Sequence, residues 1–161
     1  MTELYRDFLI QHGVPFSKIY IKPNMVADSL GIGEGDGEYA FFVGRFDPEK
    51  GVMSLLRAWK ILQERGVKCP LKLRGDGRLM SEMKKYIADH GIQNIVFVDK
   101  PSREGLFHLM KGARFLIWPS EGFFETFGLV AFESYASGRP VLASKIGILE
   151  EHVKDGKTGL H

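Results

Sequence analysis

The architecture of this 161-residue chain can be read from residues 39–65, YAFFVGRFDPEKGVMSLLRAWKILQER. Residues 39–43 form a continuous apolar run that ends at Gly44, which predicts a buried strand. In residues 52–65 the apolar side chains recur at helical spacing with charged ones opposite, which predicts an amphipathic helix. A strand followed at once by a helix indicates a parallel sheet, because parallel strands need a crossover between them.

The same alternation continues to residue 143. Further strands are predicted at residues 71–73, 95–98, 114–118 and 140–143. Helices are predicted at residues 78–90, after a cap at Ser102, and at residues 127–137. The strands are almost entirely apolar, as expected when helices cover both faces of a sheet. The sequence therefore predicts an α/β fold, a doubly wound, Rossmann-like parallel sheet over residues 39–161.

The two ends of the chain carry weaker patterns. Residues 1–38 predict a helix at 2–12, a strand at 18–23 and a flexible, glycine-rich linker at 31–38, GIGEGDGE. Residues 153–161 predict no complete element, so the sheet is expected to be truncated at its C-terminal end.

The composition excludes several classes of protein. Hydrophobic residues make up 44% of the chain and charged residues 26%, which argues against intrinsic disorder. The formal net charge of +2 favours neither nucleic acid nor a membrane surface as a partner. The only cysteine, Cys69, excludes internal disulfides. There is no apolar run of about 20 residues and no signal-peptide core, so a cytoplasmic protein without a transmembrane segment is predicted.

Five loops follow the carboxyl ends of the predicted strands, where open parallel sheets bind their ligands. They are GRFDPEKG, RGDGR, DKPSRE, PSEGFFETFG and SKIG, and each is rich in glycine or polar residues. Glycine at these places permits close approach of a ligand to the backbone, although it also serves turn geometry alone. Their concentration on one edge favours a ligand site there.

Two of these loops carry candidate side chains. Arg45 and Lys50 could hold a diphosphate, or could be a solvated surface pair. Glu125 and Glu133 enclose seven residues at the start of a helix, which Glu125 or Thr126 can begin, and whose free N–H groups suit phosphate or sugar hydroxyls. Glu133 needs partners on an otherwise apolar side of that helix, either ribose hydroxyls or a Lys or Arg.

The neighbouring Phe123 and Phe124 either shape a sugar pocket or pack under the loop.

The segments around these loops resemble those of a known family. Residues 39–160 are similar to the C-terminal, donor-binding domain of retaining glycosyltransferases of family 4, one half of a GT-B fold. The segments that carry the resemblance are FFVGRFDPEKG, LRGDGRLMSEMKKY, IVFVDKPSREGLFHLMKGARFLIWPS, ETFGLVAFESYASGRPVLASKIGILEEHV and DGKTGL. GVPFSKIYIKPN resembles the stretch that usually precedes this domain.

The resemblance implies roles in binding the donor. Gly44, Arg45 and Lys50 would hold the donor diphosphate, and Glu125 would be the catalytic candidate close to the transferred sugar. The backbone amides that contact sugar and phosphate would belong to Phe127, Gly128, Leu129 and Val130. The nucleoside would be bound by Glu133, Gly75, Val98, Asp99 and Lys100. Asp99 stands where a glycine commonly follows the third strand, so the identity of the base stays open.

The function implied by the resemblance is transfer of a sugar from a UDP- or GDP-sugar to an acceptor hydroxyl with retained configuration, as in polysaccharide biosynthesis. No metal cofactor is expected, because Arg45 and Lys50 can stabilise the departing diphosphate. The N-terminal acceptor-binding domain of such enzymes is not recognisable here, so the chain is expected to have little activity alone. The full-length enzyme could be peripheral at a membrane.

The sequence bears on two other functions. A nucleotide-binding or regulatory module without catalysis is compatible with the same residues. A dinucleotide-dependent oxidoreductase is disfavoured, because GRFDPEKG lacks the G-x-G-x-x-G fingerprint after the first strand.

Overall fold

The computed structural model describes residues 3–22, 24–26, 31–122, 125 and 127–161. Within these residues, six parallel strands form one sheet in the order β3-β2-β1-β4-β5-β6. The strands are β1 (Tyr39–Val43), β2 (Leu71–Arg74), β3 (Ile95–Val98), β4 (Ala113–Trp118), β5 (Val141–Ala143) and β6 (Gly159–Leu160). This order reverses direction at β1 and is that of a doubly wound, Rossmann-like sheet, which confirms the predicted fold class.

Among the described residues, one helix precedes β1 and five connect successive strands. They are α1 (Glu3–Gln11), α2 (Val52–Glu64), α3 (Met80–Asp89), α4 (Arg103–Gly112), α5 (Leu129–Ala136) and α6 (Gly147–His152). Ser102 caps α4 as predicted, because its Oγ accepts a hydrogen bond from the N–H of Gly105 at 3.1 Å. No helix among the described residues is long and apolar enough to cross a membrane.

Each face of the sheet has its own core. Successive strand residues point to opposite faces, so Phe42 and Leu73 pack under α2 and α3, whereas Phe41, Trp118 and Val141 pack under α4 and α5. Helices therefore cover both faces, which explains why the strands contain so few polar residues.

The strand predicted at residues 18–23 is wrong. Phe16–Lys18 forms a single 3₁₀ turn, and residues 19–22 belong to no strand; residue 23 lies outside the described residues. Tyr20 and Ile21 are exposed, and no described strand pairs with this segment. An apolar run that finds neither a hydrogen-bonding neighbour nor a core to enter has little to stabilise it as a strand.

The C-terminal residues contain more structure than predicted. The expectation of no complete element after residue 152 is wrong, because β6 adds to the sheet beside β5. Gly159 is required there, since a Cβ at this position would overlap the carbonyl of Val141. A two-residue strand is too short to produce a recognisable alternation, which is why the pattern missed it.

Residues 31–38 lack regular structure, as their composition predicts, but they are attached to the domain. The N–H of Gly33 donates to the carbonyl of Ser137 at 2.9 Å. Arg139, only 5% exposed, donates to the carbonyls of Glu34 and Gly35 at 3.0 and 2.8 Å and to that of Lys111 at 2.8 Å. The linker thus runs along the body of the domain at these points.

Candidate functional site

The loops after β1, β2 and β4 meet at the carboxyl edge of the sheet. A Cβ at Gly75 would overlap the carbonyl of Gly44, and a Cβ at Gly51 would overlap that of Pro119. These two glycines are therefore required for the loops to pack against each other. Their presence can be explained by loop geometry without a role in binding ligand. Gly51 also has a φ of 66°, which favours glycine and ends the 3₁₀ turn that carries Lys50.

A cavity of about 280 Å³ opens between the β1 and β4 loops. The predicted site residues that line it are Gly44, Arg45, Lys50, Glu125, Gly128, Leu129 and Val130. Phe42, Val43, Trp118 and Ser120 line it as well and were not predicted from the sequence. The structure therefore brings together the residues expected to bind the diphosphate and the sugar.

Glu125 is the most connected side chain in this cavity. Its Oε1 pairs with the ammonium group of Lys50 and accepts hydrogen bonds from Ser120 Oγ at 3.2 Å and Trp118 Nε1 at 3.4 Å. The side chains of Lys50 and Glu125 are only 19% and 16% exposed, so this ion pair is partly shielded from water. The cation predicted to hold the diphosphate and the predicted catalytic carboxylate are thus direct partners.

A second charged group lies at the rim. Arg45 donates to Asp47 and Glu49, with both nitrogen–oxygen distances at 2.7 Å. The same two carboxylates also face Arg78 from the β2 loop, at 3.5 and 3.7 Å. Both arginine side chains are mostly exposed, 66% and 71%, so these pairs add little stability. They do orient the guanidinium group of Arg45, which lines the cavity.

The N-terminus of α5 forms one wall. Gly128 precedes the helix with a φ of 73°, and no described side chain caps the first turn. Its N–H groups at residues 128–130 are therefore placed to donate hydrogen bonds to an anion or a sugar oxygen. The helix was predicted to begin at Phe127, which instead stacks its ring on Phe132 at 5.0 Å and does not line the cavity. Phe123, Phe124 and Thr126 lie outside the described residues.

Glu133 lies further along α5 and does not line the cavity. Burial raises the pKa of this carboxyl above its ordinary value, and the positive charge of Arg103 at the start of α4 opposes that effect. In the described part of the chain no cation approaches Glu133 closely enough to form an ion pair. The described residues therefore do not include the Lys or Arg partner that was the alternative to ribose hydroxyls.

The remaining predicted residues extend the same edge in the other direction. Gly75 follows β2, and Val98, Asp99 and Lys100 follow or end β3, which lies two strands away from β1. None of them lines the cavity.

Arg74 was missed by the sequence analysis. It pairs in register with Val43 on one side and Val98 on the other. Its Nε is buried and has no hydrogen-bond partner among the described residues. A cationic side chain therefore lies between the two parts of the edge.

Over the described ranges, no three His, Cys, Asp or Glu side chains come together in an arrangement that could hold a metal ion.

Comparison with known proteins relates the chain to enzymes that transfer sugars. Residues 31–161 match the profile of the family described as Glycosyl transferases group 1. An uncharacterised glycosyltransferase of Methanocaldococcus jannaschii is 35% identical over 127 residues, which are 79% of this chain and 34% of that protein. A D-inositol 3-phosphate glycosyltransferase of Mycobacterium sp. strain KMS is 38% identical over 120 residues, which are 73% of this chain and 27% of the relative.

A solved structure has the same fold. A mutant of S. aureus TarM, crystallised with fondaparinux, alpha-GlcNAc-glycerol and UDP, superimposes with a TM-score of 0.84 at 21% identity. The superposition covers 99% of this chain and 32% of TarM. The chain therefore spans about a third of the length of these three proteins.

Proposed function

Because the chain belongs to the glycosyl transferases group 1 family, we propose that it binds the nucleotide diphosphate sugar that donates the sugar in the transfer reaction. One observation carries the proposal: a single cavity is lined by two cations, a helix N-terminus and a carboxylate held by three donors. A diphosphate needs the first two features, and a sugar with its hydroxyl groups needs the third.

Arg45, Lys50 and the amides of residues 128–130 hold the diphosphate in this proposal. The two cations pair with carboxylates within the protein, so an incoming diphosphate exchanges one anionic partner for another rather than finding bare cations. Negative charge grows on the diphosphate as the sugar leaves, and the same groups stabilise it more strongly as the bond breaks. A metal ion is not needed for that stabilisation.

Glu125 acts on the sugar. Its carboxylate stabilises the positive charge that develops on the sugar, because it lines the same cavity as the cations that hold the leaving group. Transfer with retained configuration is part of the proposal and rests on the family resemblance.

Glu133 binds the ribose in this proposal. The hydroxyls of the ribose would donate hydrogen bonds to the Glu133 carboxylate, which lacks an ion-pair partner among the described residues. Burial raises the pKa of this carboxyl, as expected where charged partners are few. Gly75, Val98, Asp99 and Lys100 border the rest of the nucleoside. UDP is the first nucleotide to test, because TarM was crystallised with it; a GDP-sugar is the other candidate.

The acceptor is assigned to other parts of the protein. Since the chain corresponds to about a third of its relatives, we propose that an acceptor-binding domain outside residues 31–161 completes the active site. The isolated chain then binds the donor with little or no transfer. A cytoplasmic location is part of the same proposal.

Thermal unfolding with a panel of nucleotides tests the proposal. UDP, GDP, ADP, UDP-glucose, UDP-N-acetylglucosamine and GDP-mannose are each added at millimolar concentration. At about 100 times the Kd, a ligand stabilises the folded chain by about 2.7 kcal/mol, which is a rise in Tm of about 5–10 °C. At least one nucleotide should produce such a rise. No shift with any of the six would overturn the proposal.

A further inference from the structure

Three hydrogen-bond donors converge on one oxygen of Glu125, and among the described residues the other oxygen has none. Lys50, Trp118 and Ser120 all contact Oε1. Within the described residues Oε2 has no hydrogen-bond partner, and it is not one of the buried side-chain atoms that lack a partner. Among the described residues the carboxylate is therefore anchored through one oxygen, and the other is left to accept a hydrogen bond.

Trp118 also supports the neighbouring helix. The residue ends β4, is 3% exposed, and its carbonyl accepts a hydrogen bond from the N–H of Ser144 at 3.1 Å. The benzo edge of its ring lies so close to Gly128 that a Cβ there would overlap Cη2 and Cζ2. One rigid, buried ring thus contacts both the carboxylate and the N-terminus of α5.

The three donors respond differently to a diphosphate. Lys50 carries a charge, so a bound diphosphate competes with Glu125 for it. Trp118 and Ser120 are neutral donors and are both nearly fully buried. They keep hold of Oε1 when the ammonium group turns toward phosphate.

We propose that Trp118 is a positioning residue for the sugar half of the donor, because its indole N–H holds Oε1 of Glu125 and leaves Oε2 to accept from a sugar hydroxyl. Ser120 assists it at the same oxygen. This inference rests on the proposed function of the cavity and adds a residue that determines recognition of the sugar rather than of the nucleotide.

Trp118→Phe tests the inference, because phenylalanine keeps an aromatic side chain at the end of β4 and removes the N–H donor. Isothermal titration gives the Kd for UDP, UDP-glucose and UDP-N-acetylglucosamine, and for GDP and GDP-mannose. The deciding quantity is the ratio of the Kd of the nucleotide to the Kd of its nucleotide sugar. In the variant we expect this ratio to fall about fivefold, while the Kd of the bare nucleotide changes by less than about twofold.

Trp59→Phe is a matched control. Trp59 is also buried and also donates its indole N–H, at 3.0 Å to the carbonyl of Cys69, but it lies in α2 and does not line the cavity. Its replacement should leave the ratio unchanged. Should Trp118→Phe fail to fold, Ser120→Ala provides the same test at the same oxygen, with an expected fall of about threefold.

The outcomes separate the two proposals. If the wild-type chain binds none of the nucleotides, the proposed function fails and the inference fails with it. If nucleotides bind but the ratio in Trp118→Phe equals that of the wild type, or if the sugar adds no affinity in the wild type, the inference alone is overturned. Equal weakening of nucleotide and nucleotide sugar would likewise show a purely structural role for Trp118.

Discussion

The two parts of the ligand edge are built differently. In the part formed by the β1 and β4 loops, side chains contact one another: Lys50 holds Glu125, and Arg45 lies between two carboxylates. In the part formed by the ends of β2 and β3, Gly75 and residues 98–100 share an edge but do not line the cavity. Glu133, which lies on α5 and which we propose binds the ribose, has no ion pair among the described residues.

This difference indicates how each part would bind ligand. In the β1–β4 part the protein itself supplies counter-charges, so the positions of the charged groups are established before a diphosphate arrives. In the β2–β3 part the backbone sets the shape, and among the described residues the buried Nε of Arg74 has no hydrogen-bond partner. Substitutions should therefore affect folding and diphosphate binding in the first part and nucleoside binding in the second.

The largest effect is expected for Gly128→Ala. The new Cβ would overlap the Trp118 ring and would also force alanine into a left-handed conformation at a φ of 73°. Together these should lower the free energy of unfolding by about 3 kcal/mol. Gly66→Ala is the matched control, because Gly66 has a φ of 74° with open space around it, and it should lose only about 1 kcal/mol. Urea unfolding measures both; equal losses would mean that the contact with Trp118 has no energetic weight.

Lys50→Ala should have the next largest effect. It removes the partner of Glu125 and one of the two cations proposed for the diphosphate, so the Kd of the preferred nucleoside diphosphate should rise about 10- to 100-fold. Titration calorimetry measures this change. The exposed pair of Lys60 with Glu64 offers a control on α2, and Lys60→Ala should leave the Kd within about twofold. A similar Kd for both variants would contradict the assignment of Lys50 to the diphosphate site.

The smallest effect is expected for Glu133→Gln, at the residue of α5 that we propose binds the ribose. Because burial raises the pKa of Glu133, the folded chain holds this proton more tightly than the unfolded chain does. Stability therefore falls as pH rises from the ordinary range of a carboxyl through the raised value. The glutamine variant, which cannot ionise, should melt about 1–2 °C higher than the wild type at pH 7 and show no such gain below the ordinary pKa.

The same variant separates ribose from phosphate recognition. Glu133→Gln should weaken binding of the nucleoside diphosphate by about three- to tenfold and leave binding of inorganic pyrophosphate unchanged. Titrations with both ligands make the comparison. An equal loss for pyrophosphate would place Glu133 with the phosphate groups and contradict its assignment to the ribose.

Long periodic elements were predicted well because local pattern and tertiary environment agree there. The apolar stripe of α2 is buried as its spacing predicts, and β1 runs over the predicted residues. The pattern failed at residues 18–22, where apolar character finds no neighbouring strand, and at β6, where two residues are too few to carry a period.

The candidate site shows the same division. Arg45, Lys50 and Glu125 could be placed together because strand ends in a parallel sheet meet at one edge. Trp118, Arg74 and Arg78 were missed because their importance depends on strand register and on contacts between loops distant in sequence. In the sequence, Trp118 is simply the last apolar residue of a buried strand. Only the structure shows that its indole contacts both Glu125 and Gly128.

The attachment of Arg139 has a practical consequence for shortening the chain. A version beginning at Tyr39 would retain every strand, yet it would lack the carbonyls of Glu34 and Gly35 that accept from this buried guanidinium. It would keep the carbonyl of Lys111, but a cation buried with some of its donors unpaired is destabilising. A shortened version should therefore keep the glycine-rich segment, whose backbone carbonyls solvate a buried arginine.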